Sequence, residues 1–228
     1  MQIRLEKLEK QEQRPKKDAL LYDLGFSADY GTVWNFQKVL LDKRISSKVP
    51  DCLVLVEHDH VLTLGRSSHV ENILVRGLPQ YEIERGGDVT YHGPGQLVAY
   101  PIVSLSERAL GVRQYIELLE SVVSEVLAHF GVSSRGQLGA LTGVWVDGKR
   151  KIASIGVAAS HWVTYHGVAL NVNTDLSYFQ KIKPCGFESS VMTSLSKELH
   201  QDSVEMEEVK KEFILSFSDL FGVEFRSP

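Results

Sequence analysis

Hydrophobic and polar positions divide the chain into helix-like and strand-like stretches. From Tyr30, apolar residues recur at Val33, Trp34, Leu40, Leu41 and Ile45, close to the helical period, with Ser27 expected as the N-cap. Val112, Tyr115, Ile116, Leu119, Val122, Val123, Val126, Leu127 and Phe130 form one broad stripe, and Gly131 stands where a helix-ending glycine belongs. A terminal helix is predicted over Met206, Val209, Phe213, Phe217 and Leu220, with Asp202 and Glu205 as its capping box. Residues 20–26, 52–56, 61–64, 97–103 and 162–172 are apolar runs of strand length, and another strand begins at Tyr81. Pro101 suggests an edge position or a bulge, because proline cannot donate to a ladder. Residues 141–146 and 151–158, joined at Asp147-Gly148, read as a hairpin. Strands outnumber helices and follow one another by short turns. The expected fold class is therefore α+β, with a mixed, largely antiparallel sheet and flanking helices.

Composition narrows the function. The 228 residues carry 25 Lys+Arg against 29 Asp+Glu, a net charge of −4 that argues against a dedicated nucleic-acid binder. No apolar run reaches the roughly 18 residues of a membrane helix. Arg4, Lys7, Lys10, Arg14, Lys16 and Lys17 alternate with Glu6, Glu9 and Glu12, so the start has neither the apolar core of a signal peptide nor the acid-poor composition of a transit peptide. We read residues 1–19 as a charged lead-in, 20–228 as one domain, and the location as cytoplasmic. The two cysteines, Cys52 and Cys185, are too few for a disulfide scaffold or a multi-cysteine zinc site.

Three apparent motifs carry no chemistry. Residues 143–149 approach a phosphate loop, but Arg150 replaces the metal-binding hydroxyl and the pattern is strand plus turn. Gly93-Pro94-Gly95 starts like a dinucleotide fingerprint, but Val98 replaces the third glycine and a strand follows. His58-Asp59-His60 has no partner cluster nearby, so no metal is expected.

The densest unusual segment is Arg85, Gly86, Gly87, Asp88, Val89, Thr90, Tyr91, His92, Gly93, Pro94, Gly95 and Gln96, a short strand between glycine turns. A tight hairpin with incidental polar residues is the plain alternative. Cys52 sits in an apolar strand, as structural cysteines do. Cys185 instead lies between Pro184 and Gly186, with Lys181 and Lys183 upstream, where cations would favour a reactive thiolate; a chance loop thiol stays open. Lys151 enters a strand of small and apolar residues, which suggests a buried ammonium in need of an anion. His166 precedes Gly167, Val168 and Ala169 and is either a general base or a structural histidine.

Together, residues 85–96, the run from Lys151 through Ser154, Ile155 and Gly156, residues 166–172 and Pro184-Cys185-Gly186 resemble the octanoyltransferase family of lipoate biosynthesis. Residues 55–58 and 63–66 add a weaker match. The resemblance implies the catalytic fold of biotin and lipoate protein ligases. It also implies ping-pong acyl transfer without cofactor or metal. Cys185 would take the octanoyl group from octanoyl-acyl carrier protein as a thioester, and Lys151 would lower its pKa. A lysine of a lipoyl domain, on a 2-oxoacid dehydrogenase subunit or the glycine-cleavage H protein, would then accept it. Arg85, Gly86, Gly87, Asp88, Val89, Thr90, Tyr91, His92, Ser154, Ile155, Gly156, Gly167, Val168 and Ala169 would line the acyl site. Lys149, Arg150, Lys181 and Lys183 would suit acidic protein partners. The rivals are an ATP-dependent ligase on the same fold, a hydrolase pairing Cys185 with His92 or His166, and a non-catalytic binding module.

Overall fold

The computed structural model describes residues 15–75, 77–183 and 189–228. Eight strands form the main sheet: β1 (Lys17–Asp23), β2 (Asp51–Val56), β6 (Gln96–Ile102), β7 (Ser134–Gln137), β8 (Gly143–Val146), β9 (Arg150–Ser160), β10 (Val163–Asn171) and β11 (Val223–Arg226). Their order is β11-β1-β2-β6-β10-β9-β8-β7. Only the β11–β1 and β1–β2 pairs are parallel, so the sheet is mixed and largely antiparallel. A second sheet, β4-β3-β5, consists of β3 (Val61–Leu64), β4 (Gln80–Glu82) and β5 (Val89–His92). Among the described residues there are four α-helices: α1 (Tyr30–Ile45), α2 (Val112–His129), the single-turn α3 (Leu195–Glu198) and α4 (Met206–Phe221).

Period-two alternation sorts the central strands between two cores. Leu53, Leu55, Leu97, Ala99, Val168 and Leu170 pack with Leu119, Val123 and Phe213 of α2 and α4. Cys52, Val54, Val56, Val98, Tyr100 and Ala169 pack with Val33, Leu40 and Leu41 of α1. Strands covered on both faces read as continuous apolar runs. Burial also pushes the Cys52 thiol up to about 12, far from a reactive thiolate.

Several local expectations change. The first strand starts at Lys17, earlier than predicted, because it pairs with β11 from the far end of the chain (Lys17 with Val223). Asp29, not Ser27, caps α1, accepting the Thr32 N–H at 2.8 Å. Glu205 is the N-cap of α4 and makes no side-chain capping bond, so the expected Asp202–Glu205 box is absent. The Asp147-Gly148 turn has positive φ at both residues (50° and 66°), as a type I′ hairpin requires.

Pro101 is neither at an edge nor in a bulge: β6 lies in the middle of the sheet. The β6–β10 ladder runs from Asn171–Gln96 to Val168–Ala99 and resumes only at the Ser104–Val163 bridge, leaving a gap around the proline. In that gap His166 adopts φ +57°, and its N–H donates to Gln37 Oε1 of α1 at 2.9 Å. A buried side chain thus replaces the bond that the missing ladder would have made.

Candidate active site

The sheet opens into a trough on its α1 side. Register pairs Ser154 with Ala169 and Gly156 with Gly167 across β9 and β10, and Ala169 with Val98 of β6. Alternation puts these residues, with Tyr100, on one face. Four of them are glycine, alanine or serine, so the floor is low where neighbouring strands carry bulk. Gly167 is forced as well: a Cβ there would run into the Ala99 carbonyl and lie 2.8 Å from Pro101 Cδ.

The turn before β5 forms the opposite wall. Gly86 donates its N–H to the Val157 carbonyl at 3.0 Å, and the buried Arg85 guanidinium donates to Thr63 O (2.7 Å), Thr63 Oγ1 (3.0 Å) and Gly86 O (3.0 Å). The cavity so enclosed, open mouth included, holds about 490 Å³ and is also lined by Tyr30, Tyr100, His166, Thr142 and Lys151. Along β9 the cavity runs from Lys151 at one end to Gly156, beside His166, at the other.

A hydrogen-bonded chain runs through this region and fixes its own polarity. The Thr193 carbonyl can only accept, so Asn171 Nδ2 donates to it at 2.9 Å. Asn171 Oδ1 then accepts from Gln96 Nε2 at 2.9 Å, and Gln96 Oε1 accepts from His92 Nδ1 at 2.7 Å. His92 Nε2 is left as the acceptor facing Thr63 Oγ1 at 3.5 Å, the oxygen that Arg85 also holds. Burial, with help from His58, pushes the His92 pKa down to about 3. A neutral imidazole with both nitrogens engaged is a strut and not a general base. His166, at the far end, has its pKa lowered to about 4 by burial, although Glu84 Oε2 at 3.3 Å pulls the other way.

Lys151 is buried, and its ammonium donates to the Thr142 carbonyl at 2.9 Å and lies 5.5 Å from the Trp145 ring centre. Its own backbone carbonyl accepts the Thr193 N–H at 2.9 Å. Cys185 lies outside the described residues.

The chain matches the family of lipoyl protein ligase A/B catalytic domains over residues 29–218. It is 46% identical to an octanoyltransferase of Bacteroides fragilis over 198 residues, 80% of this chain and 89% of that one. An octanoyltransferase of Christiangramia forsetii is 39% identical over 232 residues, 92% and 98% of the two chains. The chain belongs to the octanoyltransferase family. Among solved structures, lipoate-protein ligase A bound with ATP superimposes with TM-score 0.71 at 18% identity, covering 93% of this chain and 88% of that one. Biotin protein ligase from Aquifex aeolicus does so with TM-score 0.51 at 14% identity, covering 90% and 69%. These two likenesses show the shared catalytic fold.

Within this octanoyltransferase fold, Arg85, Gly86, Gly87, Thr90, His92, Lys151, Ser154, Ile155, Gly156, Gly167, Val168 and Ala169 all meet at one cavity. Asp88, Val89 and Tyr91 serve its frame. Asp88 accepts from His69 N–H (3.1 Å), Asn72 Nδ2 and Val89 N–H. Val89 and Tyr91 pack in the small-sheet core, with the Tyr91 hydroxyl 2.7 Å from His60 Nδ1. His58 is bonded to Ala28 O and the Tyr100 hydroxyl. Sequence reasoning missed Tyr30, Tyr100, Val98 and Thr142. Tyr30 and Val98 read as helix and strand core, and only assembly shows that a cavity borders them. Among the described residues no helix is long and apolar enough to cross a membrane.

Proposed function

We propose that this octanoyltransferase moves an octanoyl group from octanoyl-acyl carrier protein to a lysine of lipoyl domains, through a thioester on Cys185. The supporting observation is the cavity itself: a trough floored by small side chains, suited to an alkyl chain, that ends at a buried ammonium. Both flanks of Cys185 are fastened, Lys183 N–H to Asn72 O at 2.7 Å and Thr193 N–H to Lys151 O at 2.9 Å. The Cys185 thiolate attacks the thioester carbonyl; a new C–S bond forms, and the carrier's thiolate leaves and takes up a proton. The lipoyl-domain amine then attacks, an amide forms, the amine loses its proton, and the Cys185 thiolate is released. The positive charge of Lys151 favours that thiolate. Exchange of a thioester for an amide runs downhill without ATP. The acceptors are lipoyl domains of 2-oxoacid dehydrogenase subunits and the glycine-cleavage H protein. The reaction takes place in the cytoplasm, carried by one domain that takes in β1 from Lys17.

Incubation with octanoyl-acyl carrier protein, without ATP, followed by mass mapping tests this reading. An octanoyl adduct on Cys185 that a lipoyl domain discharges supports it. No adduct, or ATP-dependent activity that survives Cys185→Ser, would replace it with an adenylating ligase or a binding module. Lys151→Ala should leave the fold intact, slow adduct formation and raise the pH at which it appears.

A further inference from the structure

The peptide joining Thr142 to Gly143 is held at both polar ends. Its C=O accepts from Lys151 Nζ at 2.9 Å, and its N–H donates to Glu120 Oε1 at 3.3 Å. Glu120 is anomalous where it stands. It is buried on α2 beside Leu119, Val122 and Val123, where an unbonded carboxylate would be costly. Gly136 makes room for it, and Gly143 makes room for Lys151. A Cβ at Gly136 would lie 2.6 Å from Glu120 Cδ, and one at Gly143, which has φ +138°, would lie 2.8 Å from Lys151 Cε. The negative end of the peptide dipole therefore meets the ammonium and its positive end meets the carboxylate.

We infer that Glu120 is a positioning residue for Lys151, fixing its ammonium and keeping it charged through the Thr142–Gly143 peptide. The inference rests on the reading of Lys151 as the cationic partner of the nucleophile. Burial raises the Glu120 pKa, while the N–H groups of Gly143 and Gln137 and the charge of Lys151 pull it back. Among the described residues Glu117 also acts on Glu120, and the Trp145 ring lies beside Lys151.

Glu120→Gln, in a Cys185→Ser background that removes the thiol from the titration, isolates the effect. The side-chain NMR titration of Lys151 should move down by about half to one pH unit. With Cys185 present, octanoylation at neutral pH should slow several-fold. A folded Glu120→Gln protein whose Lys151 titration is unmoved overturns the inference, because a purely structural acceptor would leave it so. Should Glu120→Gln not fold, Lys151→Met supplies the reciprocal reading: the Glu120 carboxyl should titrate higher, and an unchanged value overturns the inference equally. These titrations need no turnover, so failure of the transfer reading shows separately, as absence of the Cys185 adduct in the parent enzyme.

Discussion

Asn171 bridges two parts of the chain that sequence keeps apart: it donates to the Thr193 carbonyl at 2.9 Å and accepts from Gln96 at 2.9 Å. Thr193 is the point where the segment after Cys185 rejoins the sheet, since its N–H donates to Lys151 O. It is fastened again through its hydroxyl, which donates to Glu198 Oε1 at 2.6 Å. A side chain of strand β10 therefore holds a loop end to the cavity wall. Replacing Asn171 by leucine keeps the volume but strands a buried carbonyl and a buried amide. The expected loss is about 1–3 kcal/mol of stability, read by urea unfolding. A loss below about 0.5 kcal/mol would mean that water substitutes for the amide.

The trough floor gives a second prediction. A Cβ at Gly156 would meet Arg85 Cδ at 2.9 Å and Gly86 O at 3.1 Å. Arg85 is buried and held by Thr63 and Gly86, so relief of this contact shifts the cavity wall. Gly156→Ala should cut kcat/KM for octanoyl transfer about tenfold, which corresponds to about 1.4 kcal/mol. Its effect on the melting temperature should be small. Equal loss of stability and activity would show a folding defect instead.

Acid should unfold this protein early. Burial depresses His58 to about 4, His92 to about 3 and His166 to about 4, below the ordinary value near 6.5. All three side chains are neutral in the folded state and protonate more readily once unfolded. Their contribution is fully present above pH 6.5 and is lost as pH falls toward their folded values. With three protons taken up on unfolding, the slope reaches about 4 kcal/mol per pH unit. Urea titrations between pH 7 and 5, where ordinary carboxylates stay ionised, read the histidine share. A flat stability across that window would refute the assignment.

The basic residues separate into two kinds. Arg150 donates to Glu198 from Nε and Nη2, both at 2.8 Å, and to Asp147 at 3.0 Å, so it braces the β8–β9 hairpin against α3. Lys181 and Lys183 lie upstream of Cys185, and Lys183 is exposed. Reversing Lys181 and Lys183 to glutamate should weaken use of the acyl carrier and flatten its salt dependence at an unchanged melting temperature. Arg150→Glu should lower the melting temperature instead. If the lysine reversals leave the kinetics and salt dependence untouched, the partner docks elsewhere.

Much of the fold was legible because its elements are local. The stripe from Val112 to Phe130, the strand at Val89–His92 and the hairpin at Asp147-Gly148 each follow from spacing and turn chemistry that short windows contain. The meeting of residues 85–87, 90, 92, 154–156 and 167–169 at one cavity follows from the resemblance to octanoyltransferases and not from spacing; the glycines alone point only to close approach. What failed depended on partners distant in sequence. The start of β1 at Lys17 is set by Val223, and the fate of Pro101 by His166 and by Gln37 of α1.

The sequence alone determined the element types and the apolar runs of the central strands, because hydrophobic periodicity and turn chemistry act over a few positions. Tertiary structure alone decided the neutral tautomer of His92, the structural use of Arg150 and the clamp of Glu120 behind Lys151. Each of these depends on hydrogen bonds that join residues far apart in the chain, Gln96 to Asn171, Arg150 to Glu198 and Gly143 to Glu120, and such partners meet only once the chain has folded.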